Sequence, residues 1–169
     1  MSQTKNKVEW CLGKAEKEIQ EGKVHRGLVR VKPDIKRAED HIKKSEHYLA
    51  ATDYLKKGNF SDISASTVFY SMYQCLLAIA IKYGYESRNQ ECTFALISSL
   101  IDENNIKFKK EILNKIYSIN TEDKDDTAAG VREHYQYGVD INLKESLYKE
   151  MTNLAKEIIE MTKEILEEI

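Results

Sequence analysis

Proline is all but absent from this chain: Pro33 is the only one in 169 residues, and there are only seven glycines. A sheet-rich fold with many tight turns needs more of both, so the shortage argues for long helices and against an all-β architecture. Cysteine is also scarce. Cys11, Cys75 and Cys92 form no Cys-x-x-Cys pair and no metal-ligand spacing. An odd count behind the charged N-terminus MSQTKNK, without a secretory leader, reads as reduced thiols in a cytoplasmic protein. No apolar run is long. The greasiest, Val68–Ile81, is interrupted by Ser71 and Gln74 and falls short of the roughly 18 residues of a membrane span, so it reads as the core helix of a soluble domain. Net charge is only −2, which removes any whole-molecule attraction to polyanions.

Familiar catalytic signatures are missing as well. There is no GxxxxGK[ST] loop, GxSxG elbow, HExxH helix or HxE with CxxC, and no cofactor cradle. Glu157, Glu160 and Glu164 have no Glu-x-x-His partner of the kind a di-iron bundle uses, so they read as a solvated face. Neither a metal nor a cofactor is expected.

What is present is 41% hydrophobic and 32% charged residues arranged with helical period. An N-terminal helix over 5–21 carries Val8, Trp10, Leu12, Ala15 and Ile19, followed by a basic connector across 22–37 that alternates bases with apolar residues. Residues 1–60 hold 14 Lys/Arg against 9 Asp/Glu, so this half is a candidate polyanion surface, although a solvated face is the commoner explanation. Asp34 is placed to cap a helix whose face is Ile35, Ala38, Ile42, Ser45, Leu49, Thr52 and Leu55. His41 and His47 near it are six apart and read as boundary histidines, not a ligand pair. Lys57-Gly58-Asn59 stops that helix, and Ser61 or Asp62 can cap the next.

The following helix is apolar nearly all round and stops at Gly84. A fourth runs to Leu100, a fifth covers about 106–119, and 120–131 reads as a mobile loop, acidic over 121–126. A final helix over 143–168 repeats Leu147, Met151, Leu154, Ile158, Met161 and Ile165. No strand candidate is convincing. The expectation is an all-α antiparallel up-and-down bundle of four to five main helices plus a short N-terminal helix, with residues 1–33 as helix and connector and 34–169 as the bundle.

Two polar clusters interrupt the pattern. Ser87-Arg88-Asn89-Gln90-Glu91 follows the buried helix, and Arg132-Glu133-His134-Tyr135-Gln136-Tyr137 precedes the last one. Arginine suits phosphate through two parallel hydrogen bonds, and tyrosine can stack on a base, so both clusters suit a nucleotide or single-stranded RNA. The plainer reading makes them caps and loop ties.

The stretch DISASTVFYSMYQCLLAIAIKYGYESRNQECT resembles the signature of HEPN domains, with Phe69-Tyr70 and Tyr73 at its aromatic positions. HIKKSEHYLAATDYLKKGNFSD resembles the preceding HEPN helix, and REHYQYGVDIN with the last helix resembles the closing element, with an Arg and then a Tyr five residues on. The Ser-Arg-Asn-Gln turn points to an archaeal or bacterial subgroup. The resemblance implies a homodimeric helical bundle, often paired with a minimal nucleotidyltransferase in a toxin–antitoxin module. Active members are metal-independent ribonucleases that use Arg-x(4–6)-His. Here that spacing brings Tyr137, Gly138 and Val139, while His134 lies two after Arg132 and Gln74 stands where a family histidine is frequent.

The resemblance makes Arg88, Asn89, Gln90, Tyr70, Tyr73 and Tyr137 candidates for nucleotide or RNA binding, and Arg132 with His134 for catalysis. Three functions stay open. The chain is a nucleotide- or RNA-binding partner of a nucleotidyltransferase, an endoribonuclease assembled across subunits, or a non-catalytic adaptor dimer.

Overall fold

The computed structural model describes residues 2–118 and 124–168. Among the described residues the chain forms α1 (Gln3–Gln20), β1 (Leu28–Arg30), α2 (Ile35–Lys57), α3 (Ser61–Lys82), β2 (Tyr85–Ser87), α4 (Gln90–Asp102) and α5 (Lys110–Ile116). A 3₁₀ turn (Lys124–Asp126), α6 (Ala128–Tyr137) and α7 (Glu145–Glu167) complete it. The all-α, HEPN-like bundle expected above is the observed architecture.

The apolar helix α3 is the axis. Fourteen of its 22 residues are buried, including Phe69, Met72, Leu76 and Ile79, and α2, α6 and α7 pack around it. By length and composition it could cross a bilayer, but most of that surface is buried inside the fold. Its closest neighbour is α2, and small polar side chains make the approach possible. Ser45 Oγ donates to the Ser71 carbonyl at 2.6 Å, and Ser71 Oγ donates to the Ser45 carbonyl at 2.9 Å. Each helix thus satisfies the other's buried hydroxyl, a group that would cost about 1–3 kcal/mol if left unpaired. On the other side of α3, α7 lays down Met151, Leu154, Ala155, Ile158 and Ile165, the three/four stripe legible in its sequence.

Helix ends follow side-chain chemistry in part. Ser2 caps α1, and Asp34 accepts from the Arg37 N–H at 2.9 Å, as its position implied. At α3 the expected cap is absent. Phe60 occupies the N-cap, and Ser61 Oγ instead accepts from the Leu143 N–H at 2.9 Å, fastening the segment before α7 to the start of α3. Gly84 ends α3 with φ +80°, and a Cβ there would stand 2.9 Å from the Val31 carbonyl oxygen.

Four further expectations need correction. The basic connector contains a strand: Leu28, Val29 and Arg30 pair antiparallel with Ser87, Glu86 and Tyr85. Only these three residues of the connector form a strand. Gly27 lets this ribbon lie against α1, since a Cβ there would meet the Cys11 carbonyl at about van der Waals overlap.

The segment 124–131 is a 3₁₀ turn and the first turn of α6, where Ala128, Ala129, Gly130 and Val131 are buried and Thr127 Oγ1 caps the Gly130 N–H. The fifth helix is shorter than expected, Lys110–Ile116; Ile106 and Phe108 are buried ahead of it, and Ile119 lies outside the described residues. Cysteine chemistry also differs from the expectation of three thiols. Cys11 and Cys92 are disulfide-bonded with Cα atoms 5.9 Å apart, and only Cys75 is free. The bond ties α1 to the first turn of α4.

Candidate functional site

The buried first turn of α6 lies on α3, and the next residue carries its side chain in with it. Arg132 is only 12% exposed. Its guanidinium carbon sits 4.8 Å from the Phe69 ring centroid and 5.9 Å from that of Tyr70. Nη1 donates to the Tyr70 hydroxyl and to Gln136 Oε1, both at 3.4 Å, and Nη2 is 3.8 Å from Glu133 Oε1. Nε is buried without a hydrogen-bond partner among the described residues. A guanidinium has five N–H donors in a fixed fork, and here two long bonds and a distant carboxylate use only part of that capacity. The aromatic faces fix its plane. The result is a pre-oriented cation with donors to spare.

Around it runs a series of rings. Tyr48 lies 5.9 Å from Tyr70, Tyr70 meets Phe69 edge-on at 5.3 Å, and Phe69 stacks on Tyr73 at 6.1 Å. Tyr70 is half-buried beside Arg132, whereas Tyr73 faces the core. Burial raises the Tyr73 phenol above its ordinary range, so it stays protonated and donates to Thr93 Oγ1 at 2.9 Å. Thr93 Oγ1 in turn donates a hydrogen bond to Ser87 Oγ at 2.7 Å. Tyr73 is thus a tie between the helix axis and the polar turn.

That turn is built as a cap. Asn89 Oδ1 accepts from the Cys92 N–H at 3.0 Å, and Gln90 opens α4 half-buried. Arg88 does not point freely into solvent: its Nε is 3.2 Å from Glu86 Oε1. Glu86 is also bonded by Arg37 Nη2 at 2.9 Å and lies 3.4 Å from His25 Nε2. Arg37 above all, with His25 and Arg88, holds the Glu86 carboxyl below its usual range, so it is ionised and occupies Arg88. Among the described residues Arg88 and Arg132 share no hydrogen-bond or ion-pair partner.

His134 follows Arg132 by two residues, about 200° around a helix. Arg132 points at α3, while His134 points out, 62% exposed, with Nε2 3.0 Å from Asp140 Oδ2 and its ring edge-on to Tyr135. The two catalytic candidates therefore diverge within one protomer. Tyr137 stands at the end of the same helix, 78% exposed. Gln74, the residue at the family's frequent histidine position, is buried, and its Oε1 accepts from His41 Nδ1 at 2.7 Å. Burial lowers the His41 pKa, against the pull of that bond. No group of three or more metal-ligating side chains is gathered among the described residues.

Tyr48 also belongs to the Arg132 surroundings and does not stand out in sequence, whereas Gln136 lies in the second polar cluster and Phe69 at an aromatic position of the signature, neither chosen there as a binding residue. For Gln136 the further signal was its position four after Arg132, one helical turn away.

The match to known proteins agrees in extent with the bundle. The family model of the HEPN domain matches residues 38–166 and leaves out α1 and β1. No curated protein matches the chain.

Proposed function

The chain belongs to the HEPN family, and from that premise we propose that it binds nucleotide or RNA as one half of a toxin–antitoxin-type module in the cytoplasm, with a minimal nucleotidyltransferase as its partner. Family membership supports the nucleotide- or RNA-related role. Arg132 is the observation that carries it to a residue. Its fork is held between Phe69 and Tyr70, and its Nε lacks a partner. A phosphate presents two oxygens at the spacing of that fork and would satisfy donors that Glu133, at 3.8 Å, does not. Tyr70 and Gln136 stand beside it to donate to the remaining oxygens or to a ribose hydroxyl. The working assembly proposed is a homodimer, so that the second copy supplies the rest of the cleft.

Binding of a labelled single-stranded RNA, followed by fluorescence anisotropy, tests this. Arg132→Ala is expected to weaken binding at least tenfold, and Arg132→Lys to recover part of it, because lysine restores charge without the bidentate fork. Unchanged affinity in Arg132→Ala would remove Arg132 from the site. Affinity capture from cells of the source that brings down no nucleotidyltransferase would remove the partner.

One observation favours an endoribonuclease as a second reading: the exposed imidazole of His134 is oriented by a carboxylate, as a general base requires. Because Arg132 and His134 diverge in one chain, that reading needs the two residues from different copies. Loss of RNA cleavage in both Arg132→Ala and His134→Ala, restored on mixing the two variants, is its signature. No cleavage by the unmodified protein across a panel of RNAs ends it.

A further inference from the structure

Arg37, His41, Lys44 and Tyr48 follow one another along α2 at intervals of four, three and four, which keeps them within about 60° of each other around the helix. Arg37 and Lys44 are exposed, His41 and Tyr48 half-buried. Three of the four are placed by a contact. Arg37 Nη2 donates to Glu86 Oε2 at 2.9 Å, His41 Nδ1 donates to Gln74 Oε1 at 2.7 Å, and the Tyr48 ring lies 5.9 Å from that of Tyr70. Tyr70 in turn accepts from Arg132 Nη1. The stripe therefore begins at the Arg132 site and leads away from it, from Tyr48 back to Arg37, for about 16 Å at the helical rise. Its charge is positive and only partly compensated. Lys44 has no carboxylate partner among the described residues, and its charge, like that of Arg37, bears on the His41 ring. Arg37 shares Glu86 with Arg88, so one carboxylate faces two guanidinium groups. Asp40, the acid that also bears on the His41 ring, is bound by Lys43 at 3.1 Å. Burial lowers the His41 pKa, and the Nδ1 hydrogen bond leaves Nε2 of the neutral ring as an acceptor.

We propose that this stripe is the track of a single-stranded RNA anchored by a phosphate on Arg132, with a base against Tyr48 and Tyr70, the following phosphates along Lys44 and Arg37, and a base edge at His41. Charge alone would fit any polyanion, and the order of the groups narrows the choice. Tyrosine rings beside a cation offer a face to an unstacked base, which a duplex keeps inside its own stack. Cations repeated along a line suit a chain of phosphates better than one free nucleotide. At the roughly 3.4 Å per base of a stacked strand, the track from Tyr48 to Arg37 holds about five nucleotides. The neutral imidazole adds an acceptor for a base N–H without adding charge. An acidic peptide would meet the cations but leave the ring faces unused. The choice of RNA and the anchor on Arg132 rest on the function proposed above; the stripe itself does not.

Dependence on strand length is the test. Unlabelled oligoadenylates of two, four, six and eight units compete with a labelled eight-unit strand, followed by fluorescence anisotropy. Affinity is expected to climb about tenfold or more between two and six units and then to level off. Lys44→Glu should take about tenfold from the six-unit strand while leaving the two-unit strand and the melting curve unchanged. Arg132→Ala should weaken every length alike. Equal affinity for two and six units would overturn the track, as would a Lys44→Glu variant that binds six units as well as the unmodified protein. A fully paired RNA hairpin, or a polyglutamate of equal charge, competing as well as the single strand would overturn the choice of ligand. An unchanged Arg132→Ala removes the anchor and with it the Arg132 reading, whereas the track is decided by length and by Lys44, so the two failures appear in different measurements.

Discussion

Breaking the Cys11–Cys92 bond should be the most damaging single covalent change available to this protein. The bond closes a loop of sequence separation 81. Removing it frees the unfolded chain, and the loop-closure relation puts that at about 4.5 kcal/mol at 25 °C. Total stability of a domain is roughly 5–15 kcal/mol, so a third or more is at stake. For a chain of this size that corresponds to a fall in Tm of roughly 9–18 °C. The assay is urea denaturation of the oxidised protein, the reduced protein, Cys11→Ala, Cys92→Ala and the double variant. Either single substitution removes the same bond, so both should cost about as much as the double, far from additive. A thiol titration checks the premise. Cys75 is fully buried and its thiol is pushed up to about 11 by burial, so the native protein should present no reactive thiol and the denatured, unreduced protein one. Three thiols in the denatured, unreduced protein, or additive and small costs for the two alanines, would refute the reasoning.

Other expectations follow from single contacts. Asn89→Ala should cost about 1 kcal/mol in urea denaturation by exposing the Cys92 N–H of α4, and Asn89→Asp should recover it; equal stability of all three would mean the turn is not a cap. Gly84→Ala should cost more, about 2 kcal/mol or above, because the left-handed backbone and the Val31 carbonyl at 2.9 Å both oppose a Cβ. For His41 the sign is set by burial, which lowers its pKa in the folded state. The stability due to its neutral form is present above the unfolded value of about 6.5 and is lost as pH falls through the lower folded value. Denaturation between about pH 7 and pH 5 should therefore flatten in His41→Gln, and an NMR titration should place His41 below an ordinary histidine; a folded pKa above 6.5 would reverse the argument.

The helices α2, α3 and α7 were legible because their information is local. Ala38, Ile42 and Ser45, or Leu147, Met151 and Leu154, recur with the period of the structure they form, and Asp34 lies within reach of the N–H it caps. The family and the bundle both follow from such patterns. The divergence of Arg132 and His134 was not legible, because the helix that turns them apart, α6, was not read from the sequence. What escaped is what joins distant segments. β1 is three residues long and exists only because Tyr85–Ser87 comes to pair with it. The first turn of α6, Ala-Ala-Gly-Val after an acidic stretch, reads as a loop until α3 offers a surface to bury it. Ser61 does not cap α3 and instead accepts from the N–H of Leu143, far along the chain. Cys11 and Cys92 show no spacing that announces a bond. Arg88 and Arg132 look equivalent on paper, yet one is neutralised by Glu86 and the other held between two rings. Periodicity records which face of an element is apolar; only the assembled fold decides what that face, and each charge beside it, will meet.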